Sequence, residues 1–192
     1  MNAATALMFL DIDDVLCLSS PYGGYAALEA VDGQHADPAA VYRDLFVPRA
    51  RDALRRVHDE MGGALNYVIS STWREIFERA QLETVFRRSG LDFVADRLCE
   101  GARWCTPPTR HANQRVHQIA QWLDRHHRGE SFVIVDDTFS GPSLLAAFAP
   151  APHPFAGRVV LCEENVGLRD DHVRTIVDAL RRPLDPAGAH AP

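Results

Sequence analysis

The feature that most constrains the fold is an uncharged apolar segment, Ala6 to Leu10, which is followed within four positions by the carboxylates Asp11, Asp13 and Asp14. The segment is too short for a helix of its own, so it predicts a buried central strand. Open α/β sheets bind ligands at the carboxyl ends of such strands. Clustered carboxylates repel one another there unless a cation or protons offset their charge. A metal site is one interpretation and a solvated Asp-rich turn is the other, and this segment alone leaves both open.

Length and composition limit the class of protein. A chain of 192 residues with 46% hydrophobic and 24% charged residues fits one globular domain with a sizeable core. The formal net charge of −6 does not favour a nucleic-acid backbone over the whole surface, although a local basic patch could still bind one. The sequence has no run of about 20 apolar residues and no basic residue before its first apolar segment, so we expect neither a membrane span nor a signal peptide.

Cysteine usage suggests the compartment. None of the four cysteines forms a Cys-x-x-Cys pair, which disfavours a zinc knuckle. We interpret Cys17, Cys99, Cys105 and Cys162 as reduced, mostly buried cysteines of a cytoplasmic protein. None of the nine histidines is assigned to a metal.

Hydrophobic periodicity predicts alternating strands and helices. Residues 17–46 show little periodicity, so we expect a loop or small cap insertion there, either a lid over the acidic strand end or a plain surface excursion. Further strands are predicted over 64–69, 91–98, 131–135 and 158–162, and helices over 47–61, about 72–89, 112–127, 143–148 and from Asp170 or Asp171 onward. The alternation predicts a single domain over residues 1–182, a three-layer α/β/α sandwich with a mostly parallel, Rossmann-like sheet and a minimal cap. Residues 183–192 are expected to form a loose tail.

Polar side chains follow two later strands as well. The second strand ends at Ser70, Ser71 and Thr72, where a hydroxyl can cap a helix and can also help to bind an anion. A later apolar strand ends in Asp136 and Asp137. Because parallel strands place their carboxyl ends at one edge of the sheet, these groups can converge with those that follow the first strand.

A cation and a metal would complete such a site. Arg115 lies near the start of its predicted helix, where the dipole disfavours a cation, so a partner elsewhere is one explanation and simple exposure is the commoner one. Oxygen ligands without a Cys or His cluster suit Mg²⁺. Around a phosphoryl group, one carboxylate can attack phosphorus, another carboxyl can protonate the leaving oxygen, and a hydroxyl and a guanidinium can hold the remaining oxygens.

The order of these motifs resembles the haloacid dehalogenase (HAD) superfamily. An Asp-x-Asp motif follows the first predicted strand, and a serine follows the second. A basic residue comes next along the chain, and an Asp-Asp pair follows a later strand. Over nearly all of residues 6–180, the amino-acid sequence is similar to the HAD domains of Swiss-army-knife RNA-repair proteins. The segments that carry the likeness are 9–16 (FLDIDDVL), 68–74 (VISSTWR), 115–123 (RVHQIAQWL), 133–137 (VIVDD) and Gly167-Leu168.

The resemblance implies a role for each matching residue. Asp11 is the expected nucleophile and Asp13 the expected general acid/base. Ser71, or Ser70 if the register is off by one, is the expected phosphate-binding hydroxyl. The expected phosphate-binding set is completed by Thr72 and Arg115, and the expected Mg²⁺ site comprises Asp11, Asp13 through its backbone carbonyl, Asp136 and Asp137.

Two positions depart from the family pattern. Asp14 stands where glycine is usual and Val15 where threonine is frequent, and the first change bears on the turn that opens and closes the site. Neither removes a catalytic group, so we still expect catalysis.

The implied activity is a Mg²⁺-dependent phosphatase that hydrolyses phosphate monoesters through an aspartyl-phosphate. Its phosphorylated substrate is a small molecule or a nucleic-acid end, and no obligate protein partner is evident. A metal-dependent nuclease or phosphodiesterase and a non-catalytic phospho-ligand-binding module remain as alternatives. A receiver-type signalling domain is disfavoured, because its nucleophile ends the third strand rather than the first.

Overall fold

The computed structural model describes residues 5–108, 115–145 and 155–183. Four parallel strands, in the order β2-β1-β3-β4, form its sheet within these residues. The strands are β1 (Ala6–Leu10), β2 (Leu65–Ile69), β3 (Phe132–Asp137) and β4 (Val159–Cys162). The α-helices are α1 (Gly24–Val31), α2 (Pro38–Asp44), α3 (Pro48–Glu60), α4 (Arg79–Arg88), α5 (Asp92–Ala95), α6 (Arg115–His126) and α7 (Asp170–Arg181), with 3₁₀ turns at Thr72–Glu75, Gly101–Arg103 and Pro142–Leu144.

Helices cover both faces of the sheet, and the alternation of side chains along β1 shows how. Met8 and Leu10 belong to the larger apolar core, which also contains the buried faces of α3 and α7. Leu7 and Phe9 point the other way and pack with Ile119 and Trp122 of α6. Because β1 is buried on both faces, it needs the uninterrupted apolar run that its sequence shows. The predicted three-layer parallel α/β architecture is confirmed.

Residues 17–46, which were expected to form either a loop or a small cap insertion, contain regular structure. They fold into α1 and α2, and Ala27, Val41 and Tyr42 are buried in the larger core. Both helices are short, at eight and seven residues, so neither contributes enough turns to reveal a 3.6-residue period. The insertion is therefore packed against the domain through its own apolar side chains.

The predicted strand at 91–98 is wrong. Leu91, Val94, Ala95 and Leu98 are all buried, and their spacing of i, i+3, i+4 and i+7 is that of one helical face. The chain forms the short helix α5 here, and only the bridge between Tyr67 and Leu98 remains strand-like.

Other predicted elements differ at their ends. The helix expected over about 72–89 is a 3₁₀ turn followed by α4, and that expected over 143–148 shows a 3₁₀ turn within its described part. Arg169, not Asp170 or Asp171, is the residue that precedes the first turn of α7. Residues 112–114, 146–148 and 184–192 of the predicted elements and tail lie outside the described residues.

No helix among the described residues is both long enough and apolar enough to cross a bilayer. All four cysteines are free thiols.

Candidate active site

Strand register brings the acids together. In the sheet Leu10 lies beside Ile69 on one side and Val135 on the other, so the next residue of each strand emerges at the same level. The Asp11 backbone N–H donates to the Val135 carbonyl at 3.0 Å, which extends the ladder by one residue. Asp11 continues the side-chain alternation of Leu7 and Phe9, and Asp136 that of Phe132 and Ile134, so both carboxylates leave the sheet on the α6 face.

Asp11, Asp136 and Asp137 form a compact acid cluster. One carboxylate oxygen from each lies within 4.8 Å of the others. All three side chains are buried, Asp11 at 2% and Asp136 at 0% exposure. Charges at this separation and depth repel strongly unless a cation or a proton intervenes.

Arg115 provides the cationic side of the cluster. Its guanidinium Nη2 lies 3.4 Å from Oδ1 of Asp11, and its Nε lies 2.8 Å from Oδ2 of Asp136. Arg115 is itself buried at the first residue of α6, so its unfavourable position on the helix dipole is explained by these two carboxylates. Among the described residues no group donates a well-aligned hydrogen bond to Asp136 Oδ2, so its contact with Arg115 is an ion pair.

The three acids titrate differently. Burial, reinforced by the neighbouring Asp136, raises the pKa of Asp11 well above its usual range, while Arg115 acts in the opposite direction. Burial raises the pKa of Asp136 to about 6 despite the stabilising guanidinium of Arg115. Burial also acts on Asp137, but hydrogen bonds from Ser140 and the Phe139 backbone outweigh it and lower the pKa. Asp137 is therefore the member of the cluster most firmly held as a carboxylate.

The turn after β3 fixes Asp137 in place. Its Oδ1 accepts hydrogen bonds from the backbone N–H groups of Phe139 at 2.5 Å and Ser140 at 2.8 Å, and its Oδ2 accepts one from the Ser140 hydroxyl. Gly141 closes the turn, and a Cβ added there would lie 2.6 Å from the Asp137 carbonyl oxygen and 2.6 Å from Leu161 Cδ2. Only glycine fits this close approach without moving the end of β3.

Asp13 is held apart from the acid cluster. The Trp73 indole Nε1 lies 3.0 Å from each of the two carboxylate oxygens of Asp13 and donates to them. Trp73 is 2% exposed, so this donor has a fixed position. Burial raises the pKa of Asp13, and the hydrogen bond from Trp73 lowers it. Of the predicted metal set, the carboxylates of Asp11, Asp136 and Asp137 converge, whereas the Asp13 carboxylate faces Trp73. The expected Asp13 ligand is its backbone carbonyl, and that part of the metal site stays a prediction.

Asp14 stands where the family usually has glycine, and it adopts the backbone conformation that this turn requires. Its φ of 54° lies in the left-handed region that glycine favours. Asp is among the residues that tolerate this conformation, and its Oδ1 accepts a hydrogen bond from the Asn165 backbone N–H at 2.8 Å. The side chain therefore ties the loop after β1 to the loop before α7.

The hydroxyls after β2 take different positions. The Ser71 hydroxyl lies near Asp11 and lowers the pKa of that carboxyl, and its Oγ accepts from the Trp73 backbone N–H at 3.4 Å. The Ser70 hydroxyl is fully buried and has no hydrogen-bond partner among the described residues. Thr72 is exposed and lies on the wall of a cleft beside Asp13. The contact with Asp11 favours Ser71 over Ser70 as the phosphate-binding hydroxyl, a role that stays a prediction.

A second arginine lies under this loop, and the sequence analysis gave it no role. Arg74 Nη1 donates to the carbonyls of Ser70 at 3.1 Å and Ser71 at 2.5 Å, and Nη2 pairs with Glu75 at 3.2 Å. Its side chain is 2% exposed, and burial lowers its pKa. Arg74 thus holds the loop in shape. It and Trp73 both lie in the quoted VISSTWR segment, but nothing in the sequence shows that their side chains turn back toward the site.

The residues present fit a hard divalent cation. Three converging carboxylates offer only oxygen ligands, which Mg²⁺ prefers. Burial and the neighbouring carboxylates raise the pKa of Asp11 and Asp136 even beside Arg115, so this one guanidinium does not offset the negative charge of the cluster.

A parallel sheet in the order β2-β1-β3-β4, with an acidic first strand end and two acids at the end of β3, defines a HAD-type hydrolase domain. The family model that describes the HAD domain in Swiss Army Knife RNA repair proteins matches residues 7–173, so the chain belongs to this family. Comparisons with curated proteins and with solved structures give no significant match.

Proposed function

We propose that the protein is a Mg²⁺-dependent phosphatase that hydrolyses phosphate monoesters through an aspartyl-phosphate on Asp11, with nucleotide or nucleic-acid-end phosphates as its substrates. The observation that carries the proposal is the convergence of three buried carboxylates and one buried guanidinium at a single sheet edge. Membership of a family described from RNA-repair proteins supports the choice of substrate. The four free thiols support a reducing, cytoplasmic compartment. We propose that the protein acts without an obligate protein partner.

The first half of the reaction forms the intermediate. A carboxylate oxygen of Asp11 attacks phosphorus, and the bond from phosphorus to the leaving oxygen breaks. The Asp13 carboxyl, placed beside the cleft, gives its proton to that oxygen, so the leaving group departs as a neutral alcohol. Arg115 and the Ser71 hydroxyl hold the other phosphoryl oxygens as charge spreads over them.

The second half regenerates Asp11. The Asp13 carboxylate, now deprotonated, takes a proton from water as the water oxygen attacks the phosphorus of the aspartyl-phosphate. The acyl-phosphate bond breaks, inorganic phosphate forms, and both acids return to their starting states. Asp11, Asp136 and Asp137 would hold Mg²⁺, and the chemistry supplied by the bound ion is to offset the negative charge of carboxylates and phosphate brought together here.

The proposal is tested with Asp11→Asn on phenyl phosphate. We expect the loss of at least about 10³-fold of kcat, because the amide is a poor nucleophile while the site keeps its shape. EDTA should abolish wild-type activity and Mg²⁺ should restore it. Retained turnover by the variant would refute the covalent mechanism.

A phosphodiester such as bis(4-nitrophenyl) phosphate separates the phosphatase from a nuclease. We expect no turnover of the diester under conditions where the monoester is hydrolysed. Preferential cleavage of the diester would show that the protein is a nuclease rather than a phosphatase.

A further inference from the structure

A cleft of about 560 Å³ opens beside Asp13, and its described lining includes none of the three acids of the cluster. Its volume lies within the range of sites that enclose a small molecule. The described residues that line it are Asp13, Ser19, Gly23, Gly24, Tyr25, Ala26, Thr72, Trp73, Glu75 and Ile76. Since Asp13 stands at the wall and would protonate the leaving oxygen, whatever is attached to that oxygen extends into this space.

Aromatic and apolar groups form much of the wall. Tyr25, in the first turn of α1, is 76% exposed although it is a large ring, and it has no packing role that would account for its position. Ile76 contributes further apolar surface, and Gly24 lets the start of α1 lie directly against the buried Trp73 ring, since a Cβ there would be 3.1 Å from Trp73 Cε2. An exposed ring at the mouth of a cleft provides a surface on which a planar base can stack.

The charges of the wall select against further phosphates. Among its described residues are two carboxylates, Asp13 and Glu75, and no Arg, Lys or His. Arg74 pairs with Glu75 and offsets part of its charge, but Arg74 is itself buried beneath the loop and does not line the cleft. The cations of the site therefore serve the transferred phosphoryl group, while a second phosphate on the leaving group would meet carboxylates.

We propose that this cleft is a leaving-group subsite for a nucleoside that carries no phosphate other than the one transferred, with its base stacked on Tyr25. The inference rests on the proposed phosphatase activity and narrows its substrate to mononucleotides. A 5′-phosphorylated strand presents a phosphodiester within its leaving group, so it binds less well.

The experiment compares kcat/KM of the full-length protein on adenosine 5′-monophosphate, the 5′-phosphorylated adenylyl dinucleotide, glycerol 3-phosphate and phenyl phosphate. We expect the mononucleotide to exceed the dinucleotide by about tenfold or more. Tyr25→Ala should lower kcat/KM for the mononucleotide by about tenfold, as expected for the loss of one stacked base, and change that for glycerol 3-phosphate by less than about twofold. Tyr25→Phe should keep the wild-type values, because the ring remains.

Glu29→Ala is the matched control, since Glu29 is an exposed residue one turn further along α1 and outside the cleft lining. It should leave all four substrates unchanged. Equal turnover of mononucleotide and dinucleotide, or a Tyr25→Ala loss of the same size on adenosine monophosphate and glycerol phosphate, would overturn the subsite while phenyl phosphate hydrolysis still upheld the phosphatase. Absence of turnover of every monoester, phenyl phosphate included, would refute the phosphatase and the subsite together.

Discussion

Trp73 connects Asp13, the proposed general acid, to the rest of the protein. Its indole N–H donates to both oxygens of Asp13, its ring packs against the first residues of α1 and stacks on Phe77, and it follows Ser71 by two positions in the chain. The orientation of Asp13 is thus determined by a residue from the second strand end. Trp73 is therefore a positioning residue in the proposed reaction rather than a catalytic one.

Replacing Trp73 by Phe should lower kcat about 10- to 100-fold with little change in KM, because Asp13 loses its donor and its fixed orientation. The hydrogen bond lowers the pKa of Asp13, so without it that pKa rises and the limb of the pH–rate profile that reports the general acid moves to higher pH. Steady-state kinetics across pH measure both effects.

Trp122→Phe is the matched control. Trp122 is equally buried, and its indole donates to the Arg103 carbonyl at 3.0 Å, remote in function from Asp13. Trp122→Phe should lower the free energy of unfolding by a similar amount and leave the pH–rate profile unchanged. An unshifted profile in Trp73→Phe would show that this tryptophan serves packing alone.

At the scale of the element, the turn that follows β3 sets the geometry of the acid cluster. Asp137 is fixed by three donors of this turn, and Gly141 approaches the strand end too closely to carry a side chain. The turn and the strand therefore behave as one unit, and a change in either is transmitted to the position of Asp136 and Asp137.

Gly141→Ala should weaken Mg²⁺ binding by about tenfold and destabilise the fold by about 1–3 kcal/mol, because the new Cβ displaces the end of β3. Isothermal titration with Mg²⁺ and urea unfolding measure the two quantities. Gly129→Ala, at a φ of 90° with open space around it, should lose about 1 kcal/mol by backbone strain alone and keep its Mg²⁺ affinity. If Gly141→Ala and Gly129→Ala bound Mg²⁺ equally tightly, the result would contradict the coupling between the turn after β3 and the acid cluster.

The insertion of α1 and α2 shows how a second element contributes to the site. It is packed into the larger core through Ala27 and Val41, yet its first turn supplies Tyr25 to the cleft wall. A firmly seated element that presents one exposed ring is suited to define the shape of a subsite.

Across the whole molecule, the acid cluster couples metal binding and pH to stability. The pKa of Asp136 is raised to about 6 in the folded state, against an ordinary value near 3.8, so the folded protein binds this proton more tightly than the unfolded chain does. Its contribution to stability is therefore most favourable at low pH and is lost as pH rises from about 4 through 6. The proposed Mg²⁺ ion would bind only the folded site, so adding Mg²⁺ should oppose this loss.

Removing the carboxylate isolates the effect. In EDTA, the free energy of unfolding of Asp136→Asn relative to wild type should increase between pH 5 and pH 7.5, by about 1–3 kcal/mol, because only wild type gains a buried negative charge as Asp136 loses its proton. Mg²⁺ should raise the melting temperature of wild type and have little effect on that of the variant. A difference independent of pH would show that burial does not raise the pKa of Asp136.

Sequence patterns were enough to locate the four strands of the described sheet and the residues that converge at its carboxyl edge. An apolar run too short for a helix has to be a buried strand, and parallel strands have to share one carboxyl edge, so Asp11, Ser71 and Asp136 could be assigned to one place. The helical character of residues 91–98 was also present in the spacing of Leu91, Val94 and Leu98, although it was misread as a strand.

Long-range packing sets the directions in which the side chains at that edge point. Trp73 and Asp13 are 60 positions apart, and nothing local requires the indole to donate to that carboxylate. Tyr25 and Glu75 likewise come to line one cleft only when α1 is packed against the loop after β2. Such pairings follow from long-range packing, whereas periodicity and turn chemistry report only on neighbours along the chain.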